Sequence, residues 1–357
     1  MAKKAGCNKG EYMKKHAIIP VFIPHEGCPN DCVFCNQKII TAKSEPVTVE
    51  DVKNIAETYL STLENMKVET IEMAFFGGSF TGIPIEKQSQ YLEVAYDYKS
   101  KGIIDKIHLS TRPDYINREI LDNLKKYSVD VIELGVQSFD PEVLALSKRG
   151  HTVDQVYEAV SLLKEYGFTF GIQLMIGLPG DTLEKSIESA KAAADLKPDL
   201  ARLYPTVVLE DTELAQMYRN GSYPGLTEDE AVARCKEMYK ILFDAGVNIM
   251  RVGLKSTDLV TNDSDLGGNY HPAFRQLVEG EIAKDVIENE IVKLLKISAE
   301  NTSQEVLTLT IVAHPKSFNN MIGHKGANKK HFEEKYPQIQ IKYVNDSALP
   351  IGKYKKI

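Results

Sequence analysis

Three cysteines stand at Cys28, Cys32 and Cys35, a C-x3-C-x2-C spacing within eight residues. Three thiolates carried on so short a loop can point at one metal centre. A zinc site wants four ligands, and His25 stands three residues before the first cysteine as a fourth. A cubane iron–sulfur cluster also takes four thiolates as a rule. Three would leave one iron open to a ligand, which suits catalysis better than electron transfer. Cys7 and Cys235 have no ligand-type neighbours at ligand spacing and read as incidental.

Elements that could position such a loop are written in the hydrophobic pattern. Strand-like runs cover Ile18–Ile23, Ile71–Phe76, Lys106–Ser110, Val131–Val136, Thr169–Ile176, Leu200–Val208 and Val247–Val252. Helix-period stretches fall between them at Val49–Leu63, Lys87–Lys99, Glu119–Lys125, Val153–Tyr166, Leu183–Ala194 and Glu228–Ala245. This alternation predicts βαβ units and a parallel sheet, closed as a full or partial (β/α) barrel or open and doubly wound. Either arrangement puts ligands at the C-terminal ends of the strands. Polar and glycine-rich groups follow the strands there: the cysteine loop, Gly77-Gly78-Ser79, Ser110-Thr111-Arg112, Gln137-Ser138 and Gly177-Leu178-Pro179-Gly180.

The cysteine spacing, with Phe34 before the last thiol and a glycine pair after the second strand, resembles the radical S-adenosylmethionine superfamily. That resemblance implies a partial TIM-type barrel. It also implies a 4Fe–4S cluster on Cys28, Cys32 and Cys35, with the free iron chelating S-adenosylmethionine. Reductive cleavage would then give a 5′-deoxyadenosyl radical, the electron coming from a reduced ferredoxin or flavodoxin. Thr111-Arg112-Pro113-Asp114, Leu134–Ser138, Gly177–Gly180 and Leu203-Tyr204-Pro205-Thr206 resemble the branch that holds the Elongator catalytic subunit and the oxygen-independent coproporphyrinogen oxidases. By position in that branch, Phe34, Gly77, Gly78, Ser79, Ser110, Gln137, Arg149 and Gln173 are the expected cofactor contacts. Ser110 and Gln173 stand where the porphyrinogen oxidases use carboxylates, and neutral side chains can still bond a ribose hydroxyl. Phe22 lacks the hydroxyl those oxidases carry at this place, so a small-molecule porphyrinogen-oxidase chemistry is the alternative, not the first reading. The tail is too short for the Elongator acetyltransferase domain, and acetyl transfer is not expected.

The last segment reads strand, helix, Gly loop, helix, strand, with Gly323-His324-Lys325-Gly326 as the loop. It resembles a KH domain, in which a glycine loop lies close to phosphates. Gly323, His324, Lys325, Gly326, Lys329 and Lys330 are the residues that could contact RNA, a substrate tRNA being the natural class for this branch; a helix-linking turn in a scaffold, or a non-catalytic metal-binding RNA module, are the rival readings. The expected organisation is a basic tail over 1–16, a barrel over 17–255, a connector over 256–282 and a small α+β module over 283–357.

Charge supports this division. The 357 residues carry a net charge of -7, which taken alone argues against nucleic acid. Residues 1–16 hold +4 and residues 314–357 hold +6, leaving -17 for 17–313. The acidic average belongs to the barrel and connector, and the two ends are basic. Five cysteines are too few for a disulfide scaffold, and no apolar run reaches membrane-span length. A cytoplasmic protein with reduced thiols is expected.

Overall fold

The structure, a computed structural model, describes residues 13–23, 27–28, 32–36, 47–64, 66–254, 265–267, 269–300 and 307–357. His25, residues 1–12 of the basic tail and residues 256–264 of the connector lie outside the described residues. Seven strands form one sheet in chain order: β1 (Met13–Ile23), β2 (Lys67–Gly77), β3 (Lys106–Thr111), β4 (Val131–Gln137), β5 (Thr169–Ile176), β6 (Leu200–Pro205) and β7 (Asn248–Val252). Pairing is parallel from β1 through β5. This is the partial (β/α) barrel that the alternating pattern predicts.

The chain divides into two compact units, 1–174 with 196–201, and 175–195 with 202–357. In the first, helices α1 (Val49–Leu63), α2 (Ile85–Ser100), α3 (Arg118–Lys126), α4 (Pro141–Leu146) and α5 (Val153–Glu165) connect the strands. Their starts are set by side chains. At α1, Asp51 N donates to Thr48 Oγ1 at 3.1 Å while Thr48 N donates to Asp51 Oδ2 at 2.8 Å. Thr152 and Gln155 repeat this capping box at α5. Each satisfies amides that the first helical turn leaves without partners, worth about 1 kcal/mol. Ile19, Met73, Phe75, Ile107, Leu109, Ile132 and Leu134 of the strands are fully buried. Each such side chain contributes about 1.5–3 kcal/mol through burial.

The second unit holds α6 (Leu183–Asp195), α7 (Glu213–Arg219), α8 (Glu228–Asp244) and the 27-residue α9 (Phe274–Glu300). Its last part is β8 (Leu307–Ala313), α10 (Phe318–Ile322), the Gly323–Gly326 turn, α11 (Ala327–Lys335), β9 (Ile339–Asn345) and β10 (Tyr354–Lys356). The small sheet runs β10-β8-β9, antiparallel then parallel. Ile287 and Ile291 of α9 join Leu309, Ile311, Met321, Phe332 and Ile339 in its core. This helix begins at Phe274, inside the span 256–282 that the sequence reads as a connector. Gly280 lies inside it, and Asn328 Nδ2 donates to its carbonyl at 2.8 Å. Upstream, the buried Asp265 carboxylate accepts from the amides of Val208, Gly267, Asn269 and Tyr270 at 2.7–3.1 Å. Among the described residues no helix is long and apolar enough to cross a membrane.

Candidate active site

The ends of β1 and β2 are locked together before any ligand is considered. Gly78 N donates to Ile23 O at 2.8 Å. Gly77, at φ 110°, lies so close to β1 that a Cβ would sit 2.6 Å from Ile23 O. Gly27, at φ 74°, opens the cysteine loop, and a Cβ there would fall 2.0 Å from Ser79 O. Both glycines are needed because left-handed backbone and backbone contact coincide. Gly27, at the start of the cysteine loop, is thus packed against the backbone of Ser79 and Gly82.

Ser79 faces inward. Its Oγ is 2.8 Å from Thr111 Oγ1 and accepts from Arg112 N at 3.1 Å. The segment after β2 is tied in this way to the end of β3. Arg112 is buried and grips Asp114 through two bonds of 2.9 Å. Burial opposes its charge, but Asp114 and the nearby Cys32 and Cys28 outweigh that and raise its pKa.

Cys32 is buried, whereas Cys28 and Cys35 are half-buried. Cys35 N donates to Cys32 O at 2.9 Å, closing the turn that contains Phe34. Arg149 Nη1 donates to Cys32 Sγ at 3.1 Å and its Nη2 to Gly135 O at 2.6 Å. The contact places a cationic side chain directly against one of the three thiols. Gln137 holds a left-handed φ of 70° at the irregular end of β4. A Cβ on Gly135 would come 3.0 Å from Gln137 Nε2 and 3.4 Å from Arg149 Nη2, so the bare glycine lets both side chains converge. Gln137 Oε1 and Arg112 Nη1 are buried with no hydrogen-bond partner among the described residues. Buried polar atoms rarely stay unpaired, and a polar ligand would satisfy them. His151, buried behind the two guanidiniums, is neutral: burial, then Arg149 and Arg112, push its pKa down to about 3. Sequence reasoning missed it, although it stands two residues after Arg149.

Ser110 and Gln173 meet deeper in the sheet, with Gln173 Nε2 3.4 Å from Ser110 Oγ. Among the described residues no three His, Cys, Asp or Glu side chains are gathered for a metal ion. Residues 29–31 of the loop are outside the description, and the three thiols fit a cluster by their donor chemistry and their cationic surroundings.

In the second unit, the Gly323–Gly326 loop is a tight turn. Gly323 and Gly326 have φ near 80°, and Lys325 has φ 51°. A Cβ on Gly323 would fall 2.6 Å from Asn328 N, so glycine is required there. Lys325, Lys329 and Lys330 are exposed, while His324 is half-buried, 3.2 Å from Gln276 Oε1 and edge-on to His271. Lys329 and Lys330 lie 3.8 and 3.7 Å from Glu333 and Glu334, exposed pairs that bind weakly. The loop lysines can therefore reach an outside anion, and His324 is committed to the scaffold.

A seven-stranded partial barrel with cysteines after its first strand and glycines after its second defines the class. Residues 22–193 match the radical SAM superfamily profile and residues 198–284 the radical SAM C-terminal domain; the chain belongs to this superfamily and is an enzyme. Among its relatives, the tRNA uridine(34) acetyltransferase of Methanocaldococcus jannaschii is 30% identical over 254 residues, covering 60% of this chain and 47% of that protein. Human Elongator complex protein 3 is 27% identical over 259 residues, again covering 60% and 47%. An archaeal Elp3 structure from Methanocaldococcus infernus, truncated at its N-terminus, superposes with a TM-score of 0.63 at 24% identity, covering 77% of this chain and 64% of that one. The chain spans about half the length of the curated relatives it matches.

Proposed function

We propose that this enzyme cleaves S-adenosylmethionine reductively and acts on RNA, tRNA being the substrate class. The observation that carries the reading is the buried Arg149 guanidinium on Cys32 Sγ, beside the unpartnered oxygen of Gln137. Cys28, Cys32 and Cys35 would hold a 4Fe–4S cluster. When bound, that group supplies the electron, received from a reduced ferredoxin or flavodoxin, that splits the sulfonium into methionine and a 5′-deoxyadenosyl radical.

The residues of the chain hold and orient. Arg149 and Arg112 supply positive charge beside the thiolates and toward a carboxylate. Gly77, Gly78 and Ser79 bring backbone close enough to bond the amino group of S-adenosylmethionine, and Phe34 lies in the turn that carries the last thiol. Gln137 offers its free carbonyl oxygen, and Ser110 and Gln173 offer hydroxyl and amide groups to the ribose. Gly323, Lys325, Gly326, Lys329 and Lys330 would meet RNA phosphates, with His324 bracing the turn. Relatives that modify tRNA uridine support the substrate class.

Anaerobic reconstitution and reduction are expected to yield 5′-deoxyadenosine from S-adenosylmethionine. Cys32→Ala is expected to lose the cluster absorbance and the product together. An intact cluster without 5′-deoxyadenosine, with and without tRNA, would refute the catalytic reading.

A further inference from the structure

Beneath Ser110 and Gln173 runs a buried line of charge that no part of the proposed chemistry uses. Glu72 of β2 and Glu133 of β4 flank His108 of β3. His108 Nδ1 is 2.5 Å from Glu72 Oε1, and its Nε2 is 2.9 Å from Glu133 Oε1. The other oxygen of Glu133 accepts from Gln173 Nε2 at 2.8 Å. Glu133 and His108 are 0% and 1% exposed, whereas Gln173 and Ser110 are half-buried. Room for Glu133 comes from Gly171 across the ladder, where a Cβ would fall 3.1 Å from Glu133 Cγ and 2.1 Å from Leu200 Cδ1.

Taking two carboxylates and an imidazolium out of water is costly, and apolar residues of similar volume commonly give an equal or more stable core. Stability alone is a poor reason for this arrangement. Its geometric effect is specific. A carboxylate has no proton to give, so Gln173 must turn its amide nitrogen to Glu133. The carbonyl oxygen of Gln173 is thereby directed away from the buried carboxylate. Without that constraint an amide can rotate and present either end.

We infer that Glu72, His108 and Glu133 are positioning residues that fix Gln173 with its carbonyl oxygen as an acceptor for a ribose hydroxyl. The inference rests on the proposed cofactor role of Gln173 and adds what sets its polarity. A ligand hydroxyl can then only donate to Gln173, and an analogue lacking that hydroxyl leaves the acceptor unmatched.

The test is calorimetric binding of S-adenosylhomocysteine and of its 2′-deoxy and 3′-deoxy analogues to the full chain under anaerobic conditions. One of the two deoxy analogues is expected to bind the wild type about tenfold more weakly, the loss of one hydrogen bond. Gln173→Ala is expected to bind parent and analogue alike. Glu133→Gln is expected to do the same with Gln173 still present, because the new amide can accept from or donate to its neighbour. His108→Gln, which leaves both carboxylates in place without their cation, gives the second reading if Glu133→Gln fails to fold, and should blunt the discrimination. Full discrimination in whichever of these two variants folds would overturn the positioning role while sparing the cofactor role of Gln173. Full discrimination in Gln173→Ala, or no binding by the wild type, would overturn the cofactor assignment itself.

Discussion

The buried His108 makes stability depend on pH in a direction that can be worked out in advance. Burial opposes its charge, but the adjacent Glu133 and Glu72 carboxylates prevail and raise its pKa from 6.5 to about 9. The groups that face it are these two carboxylates and the edge of the Phe76 ring, centred 5.5 Å away; His16 touches Glu72 from β1 at 3.3 Å. A pKa raised by folding stabilises the native chain in full below the unfolded value of 6.5. That stabilisation is lost as pH rises through the folded value near 9. Within this window it falls by about 1.4 kcal/mol per pH unit, so about 3 kcal/mol disappears in all. Urea unfolding of wild type and His108→Gln at half-unit steps from pH 6 to 10 measures it, because titrating groups that do not touch His108 or its two carboxylates cancel in the difference. The stability gap between the two proteins is expected to narrow by about 3 kcal/mol, almost entirely between pH 6.5 and 9. A gap that stays constant would show that the imidazole is not protonated between the two carboxylates, and the reasoning would fail.

Gly27→Ala places a methyl group 2.0 Å from Ser79 O on a left-handed backbone, so the cysteine loop must lift off its seat. Iron loading should fall severalfold while circular dichroism of the barrel is unchanged, and full loading would remove the proposed seating. Phe332→Ala empties the centre of the small β8–β9–β10 core and should cost about 3–5 kcal/mol in that part of the chain, read by urea unfolding. Lys325→Glu should weaken tRNA in filter binding, and the wild-type affinity should fall more steeply with salt than that of the variant. Equal affinities and equal salt slopes would exclude the loop from the RNA contact.

Much of the barrel can be read in the sequence because period and punctuation agree there. Val49–Leu63 is helical over the span its apolar spacing suggests, with Thr48 and Asp51 marking the start. Other elements are hidden for physical reasons. Pro141–Leu146 and Glu213–Arg219 are too short for a periodic signal to accumulate. Strand β6 stops at Pro205, which cannot donate to a ladder, although the apolar run continues to Val208. The start of α9 is masked by Pro272, by aromatic residues and by Gly280. Local sequence points to the cysteine loop and the glycine segment, since each is a contiguous motif. The Glu72–His108–Glu133 line is not contiguous: its members are 36 and 25 positions apart. The available hint is a charged residue inside otherwise apolar runs, at Ile71-Glu72-Met73 and Ile132-Glu133-Leu134. His108 reads from sequence as a packed or hydrogen-bonded strand residue, and its partners supply the meaning.

Among the described residues, the order β10-β8-β9 leaves β10 and β9 as the two margins of the small sheet. Lys342 lies on β9, and Lys355 and Lys356 lie on β10. Exposed strand margins invite pairing between molecules, and lysine is a common guard against it. Part of the positive charge at this end of the chain is therefore expected to keep copies apart in concentrated solution, whatever it does for ligands. Neutralising these lysines together should produce a protein that precipitates on concentration, whereas replacing them with glutamate should keep it dispersed. Colloidal behaviour and polyanion affinity can be separated by comparing those two sets of substitutions.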